Sequence, residues 1–103
     1  MIIVFDKHEL QELYEKGYSE NRRVRFQPSV IKQYIKIINM MLAIEKLEEL
    51  YQIKSLHFKK LIGAKSMFHS IRVNQKYRVE CIISYDIYLL VGKIMSLTNH
   101  SQS

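Results

Sequence analysis

The chain has 103 residues, 48% of them apolar, with one Pro, three Gly and a single Cys, which is enough for one hydrophobic core over residues 1–103 and too little for a second domain. That composition excludes a disordered chain, and one cysteine excludes an internal disulfide framework. The net charge of +6 is unevenly spread: residues 1–53 carry eight Lys/Arg and eight Asp/Glu, whereas 54–103 carry eight against two, Glu80 and Asp86. A basic half of this kind favours a polyanionic partner, nucleic acid first, through Coulomb attraction and counterion release, although the same lysines also suit a solvated face.

In chain order, Ile2 to Phe5 reads as a short strand. It is too short for a signal peptide, and no stretch approaches the roughly 20 apolar residues of a membrane span, so a cytosolic location without membrane contact is expected. Asp6 and Glu9 have the spacing of a capping box, opening a helix that Gly17 closes, with Leu10, Leu13 and Tyr14 as its buried stripe. Residues 18–27, with Asn21, Arg22, Arg23 and Arg25, read as a loop. Pro28 suits the first turn of a helix running to about Ala43, whose core face is Ile31, Tyr34, Ile35, Ile38, Met41 and Leu42. Ala43 to Tyr51 reads as a further short helical turn, followed by a loop to about Gly63.

Met67 to Val73 and Tyr77 to Ile83 each alternate around Asn74-Gln75-Lys76, which predicts an antiparallel hairpin. Pairing Val73 with Tyr77 sets Arg72 directly opposite Arg78 on one side. Ile71, Val73, Tyr77, Val79 and Cys81 then face the other, where Cys81 serves as a small buried hydrophobe. Two facing guanidinium groups repel unless an anion, Glu80 or solvent relieves them. After a tight turn near Asp86, Tyr88 to Leu97 forms a third strand that delivers Asn99-His100 to the end of the sheet. His69 alternates onto the packing side, and His57 lies just before the Lys59-Lys60 pair. No histidine has metal-ligand spacing to a Cys or acidic partner, so neither a metal nor another cofactor is expected.

Three blocks taken together carry a resemblance: Ser55-Leu56-His57-Phe58-Lys59-Lys60-Leu61-Ile62-Gly63, then Ser70-Ile71-Arg72-Val73-Asn74-Gln75-Lys76-Tyr77-Arg78-Val79, then Leu97-Thr98-Asn99-His100. With Leu13-Tyr14-Glu15-Lys16-Gly17 and Phe26-Gln27-Pro28 ahead of the long helix, the chain resembles the RelE/ParE superfamily of toxins from bacterial type II toxin–antitoxin modules, closest to the HigB-like branch. The resemblance implies a compact α+β domain, a curved antiparallel sheet with helices packed on one face. It also implies a metal-independent endoribonuclease that cuts messenger RNA on the ribosome by attack of the substrate's own 2′-hydroxyl, silenced by a helix-turn-helix, HigA-like antitoxin. Arg78 matches the arginine assigned to the scissile phosphate, Arg72 shares its electrostatic role, and His100 occupies the place of the proton-transferring residue. Lys59, Lys60, Lys65, Lys76 and Asn99 are the expected RNA or ribosome contacts.

The chain departs from the family pattern twice. Relatives commonly read L-K-G where this chain has Leu61-Ile62-Gly63, and they often follow the terminal histidine with an aromatic residue where Ser101 stands here. These departures keep a second reading open: a non-catalytic binding module, either a ParE-like gyrase inhibitor or a degenerate toxin that only holds its antitoxin.

Overall fold

A computed structural model describes residues 1–99. Strand β1 (Ile2–Phe5) is followed by helices α1 (His8–Lys16), α2 (Pro28–Ala43) and α3 (Glu48–Gln52), then by strands β2 (Lys59–Lys60), β3 (His69–Arg72), β4 (Tyr77–Asp86) and β5 (Leu89–Asn99). The strands make one sheet in the order β1-β5-β4-β3-β2, antiparallel throughout except where β1 runs parallel to β5. The helices cover one face, and Ile71, Val79, Cys81 and Ile94 from the sheet are fully buried with Tyr34, Ile37, Ile38 and Met41 from α2. This is the α+β layout that the family resemblance implies. Among the described residues no helix is long and apolar enough to cross a membrane.

Helix α1 starts one residue later than a capping box at Asp6 requires. Its N-cap is Lys7, with no side-chain cap. Asp6 instead prolongs the β1–β5 pairing, its N–H donating to the Ile94 carbonyl at 2.9 Å and its carboxylate lying 3.4 Å from Lys93 Nζ. Gly17 does close the helix, at φ 80° with its N–H donating to the Leu13 carbonyl, a conformation that a Cβ disfavours. In α2 Pro28 takes the first turn, but the buried face is Val30, Tyr34, Ile37, Ile38 and Met41, while Leu42 is 44% exposed. Both this row and the expected one satisfy three-and-four spacing, and contact with the sheet and α1 selects between them. Tyr34, common to both rows, is held in the core by its hydroxyl, which donates to the Leu10 carbonyl at 2.8 Å, and burial pushes its pKa upward.

The segment expected to be a loop to Gly63 contains the two-residue edge strand β2, too short for any periodicity to reveal. The β3–β4 hairpin keeps the expected register, with Arg72 opposite Arg78 and the Val73 N–H donating to the Tyr77 carbonyl at 2.9 Å. Strand β3 starts at His69 rather than Met67, because the Phe68 N–H bonds back to the Lys65 carbonyl. Between β4 and β5 the register slips by one: Glu80 pairs with Ser96 but Cys81 with Ile94, leaving Met95 as the extra residue of a β-bulge. Cys81 is fully buried, and desolvation, then the charge of Glu80, pushes its thiol up to about 12, which removes it as a nucleophile.

Candidate functional site

Strand alternation sends Ser70, Arg72, Arg78 and Glu80 to the sheet face away from the core, and the bulge at Met95 adds Ser96 and Thr98. Across that face runs a cleft of about 620 Å³, walled on one side by Leu61, Ile62 and Ala64 from the segment after β2. Four of the expected site residues line it together: Lys59, Lys65, Arg78 and Asn99. Ser70, Glu80 and Thr98 line it too. The first two were legible as the same-face neighbours of Arg72 and Arg78, whereas Thr98 needed the bulge. His100 lies outside the described residues.

Arg78 is anchored. Its Nη1 donates to Ser70 Oγ at 3.0 Å, and Ser70 is fully buried. Arg72, directly across the hairpin, turns the other way: its Nε donates to the Asn74 carbonyl at 3.3 Å, and its Nη1 lies 3.2 Å from His57 Nε2. The like-charge opposition is thus relieved by divergence, one guanidinium toward the cleft and one toward the sheet edge. A guanidinium has only donors, so this contact needs His57 Nε2 unprotonated. Arg72 does not line the cleft.

Lys65 Nζ donates to both carboxylate oxygens of Glu80 at 3.2 Å, and Ser96 Oγ reaches Oε1 at 3.5 Å. Lys60 and Lys76 are exposed outside the cleft, Lys60 on β2 opposite His69 and Lys76 in the hairpin turn. His69 faces the packing side, as its alternation predicts, stacked on Phe58 with ring centroids 4.9 Å apart. Desolvation, and secondarily the charge of Lys60, lowers its pKa. Among the described residues no group of three or more His, Cys, Asp or Glu side chains is arranged to hold a metal ion.

The arrangement offers a phosphate group a fixed guanidinium flanked by two lysines, in a groove with hydroxyl and amide groups at one end and an apolar wall at the other. Known proteins share both the sequence pattern and the fold. Residues 4–91 match a family described as RelE-like toxin of type II toxin–antitoxin system HigB. A solved YoeB/ParE toxin from Agrobacterium tumefaciens superposes with a TM-score of 0.55 at 11% identity, over 97% of this chain and 99% of that one. A YoeB–YefM complex from Staphylococcus aureus gives 0.56 at 19% identity, over 97% of each chain. A search of the curated proteins finds no match. At such identities the solved structures establish the fold alone, whereas the family match runs from β1 into β5 and takes in both hairpin arginines. The chain belongs to the HigB-like family of RelE-like toxins of type II toxin–antitoxin systems.

Proposed function

We propose that this toxin is an endoribonuclease that cuts messenger RNA on the ribosome, without a metal, and that Arg78 holds the scissile phosphate. The observation that carries the reading is the anchoring of Arg78 by buried Ser70 in a cleft that also holds Lys59 and Lys65. A planar guanidinium clamps two phosphate oxygens, and fixing it beforehand removes reorganisation from the reaction. The substrate's 2′-oxygen attacks phosphorus as a base takes its proton. The bond to the 5′-oxygen breaks as an acid returns a proton to it, leaving a 2′,3′-cyclic phosphate and a free 5′-hydroxyl.

His100 is the proton carrier that the family resemblance suggests. His57 lies against Arg72 at the sheet edge and does not line the cleft, so it stands apart from the phosphate that Arg78 would hold. Lys60 and Lys76, exposed beyond the cleft, suit contacts with ribosomal RNA. The partner that silences the toxin is a HigA-like helix-turn-helix antitoxin whose acidic or amphipathic surface meets the basic face. That a fold relative is a YoeB–YefM complex supports a protein partner.

Expression in growing cells should halt translation and leave primer-extension stops in ribosome-bound messages, and Arg78→Ala should remove both effects. The non-catalytic reading draws on Ile62, 90% exposed on the cleft wall where relatives carry lysine. Intact translation combined with failing DNA supercoiling would select the gyrase-inhibitor reading instead.

A further inference from the structure

Lys59, Ser70, Glu80 and Ser96 occupy one cross-strand rung, on β2, β3, β4 and β5 in turn. Two of them anchor two of the three cations of the cleft: Ser70 receives Arg78, and Glu80 receives Lys65. Among the described residues Glu80 is the one carboxylate that lines the cleft. Its side chain is 11% exposed against 58% for Lys65, so the carboxylate is the fixed member and the ammonium the one being held.

By charge alone this is the wrong residue for the place. A carboxylate cancels one of the three cationic charges of the cleft and repels a polyanion. A lysine on an exposed turn, however, has a flexible four-carbon stem, and ordering it on a substrate costs rotamer entropy. An ammonium already held by two carboxylate oxygens has lost that freedom before substrate arrives and keeps an N–H to offer. Ile62, at the start of the same turn, supplies no charge; Lys65, three residues on, does.

Building on the RNA-cleavage reading above, we infer that Glu80 is a positioning residue that holds Lys65 beside Arg78, so that two pre-ordered cations meet one ribose-phosphate link. The ligand class is a single-stranded RNA backbone, and Ser70 does for Arg78 what Glu80 does for Lys65.

The test compares Glu80→Gln, Lys65→Met and the double variant in two assays: cleavage of ribosome-bound message, and anisotropy binding of a short single-stranded RNA. Positioning predicts that either single change lowers kcat about tenfold, that the double variant is no worse than the singles, and that Lys65→Arg restores activity. RNA binding weakens to a similar extent in both singles, with the melting temperature of Lys65→Met unchanged. If Glu80 merely subtracts charge, Glu80→Gln instead tightens RNA binding and leaves cleavage intact, which overturns the inference, as do additive losses in the double variant. Should Glu80→Gln fail to fold, Lys65→Met decides, since wild-type binding and cleavage in that variant refute the role. A wild-type protein that binds RNA without cutting it defeats the cleavage reading alone. Binding then decides the inference: equal weakening in the two singles supports it, and tighter binding in Glu80→Gln overturns it.

Discussion

Replacing Lys59 by Met should lower the salt dependence of RNA binding, whereas replacing Lys76 should leave it unchanged. Lys59, Lys65 and Arg78 line the cleft; with Lys65 and Arg78 meeting one phosphate and Lys59 the next, about two phosphates are neutralised. Each phosphate neutralised on a single strand contributes about 0.7 to the log–log slope of affinity against salt, so the wild-type slope from the cleft is about 1.4 and that of Lys59→Met about 0.7. Between 50 and 200 mM salt these slopes correspond to losses of about sevenfold and about 2.6-fold. Lys76 sits in the β3–β4 turn and lines no part of the cleft. Both variants keep an apolar stem at an exposed position, so neither disturbs the core. The assay is anisotropy of a short labelled RNA with 2′-O-methyl sugars, which cannot be cleaved, titrated at several salt concentrations. Equal reductions in slope for the two variants would show that RNA meets the whole basic half diffusely, and the cleft would lose its claim to be the contact surface.

Two further outcomes concern the scaffold. Burial, reinforced by Lys60, holds the pKa of His69 below its ordinary 6.5. The folded protein therefore binds fewer protons than the unfolded chain, and stability that is complete above about pH 6.5 falls as pH drops toward the folded-state value. His69→Phe keeps the stack on Phe58 and should flatten that decline in urea melts between about pH 7 and 5; an unaltered pH slope would reject the assignment. Ile87 turns the β4–β5 hairpin at φ 59° and is 84% exposed, a left-handed conformation that costs a β-branched residue about 1–2 kcal/mol. Ile87→Asn should raise the melting temperature by about 4 °C, and a melting temperature at or below wild type would contradict the strain.

What was legible in the sequence followed how local the deciding contacts are. The Arg72–Arg78 register came from a short turn between two alternating segments, and the start of α2 came from Pro28, because each depends on neighbours in the chain. The buried face of α2 did not, since two adjacent apolar rows compete and only the sheet beneath chooses. Asp6 has the spacing of a cap, yet the pull of β5 on its backbone wins. Within the site, Lys59 and Lys60 read as one basic pair, but strand pairing sends them to opposite faces, Lys59 opposite Ser70 and Lys60 opposite His69. That separation stays hidden as long as the segment is read as a loop. The direction of Arg72 depends on His57, 15 residues away, and no spacing rule links them.

The bulge at Met95 shows how the core and the cleft constrain each other. Before it, Leu90, Gly92 and Ile94 point to the helices; after it, Leu97 does. Strict alternation from Ile94 would instead send Ser96 and Thr98 into the core and Leu97 into the open. Two hydroxyls would then need buried partners, and a leucine would forfeit its burial. One extra residue removes both penalties. It also gives Glu80 its contact with Ser96 and places Thr98 opposite Arg78. The apolar demand of the core and the polar lining of the cleft are therefore met by the same one-residue slip, and any change that straightens β5 must damage both together.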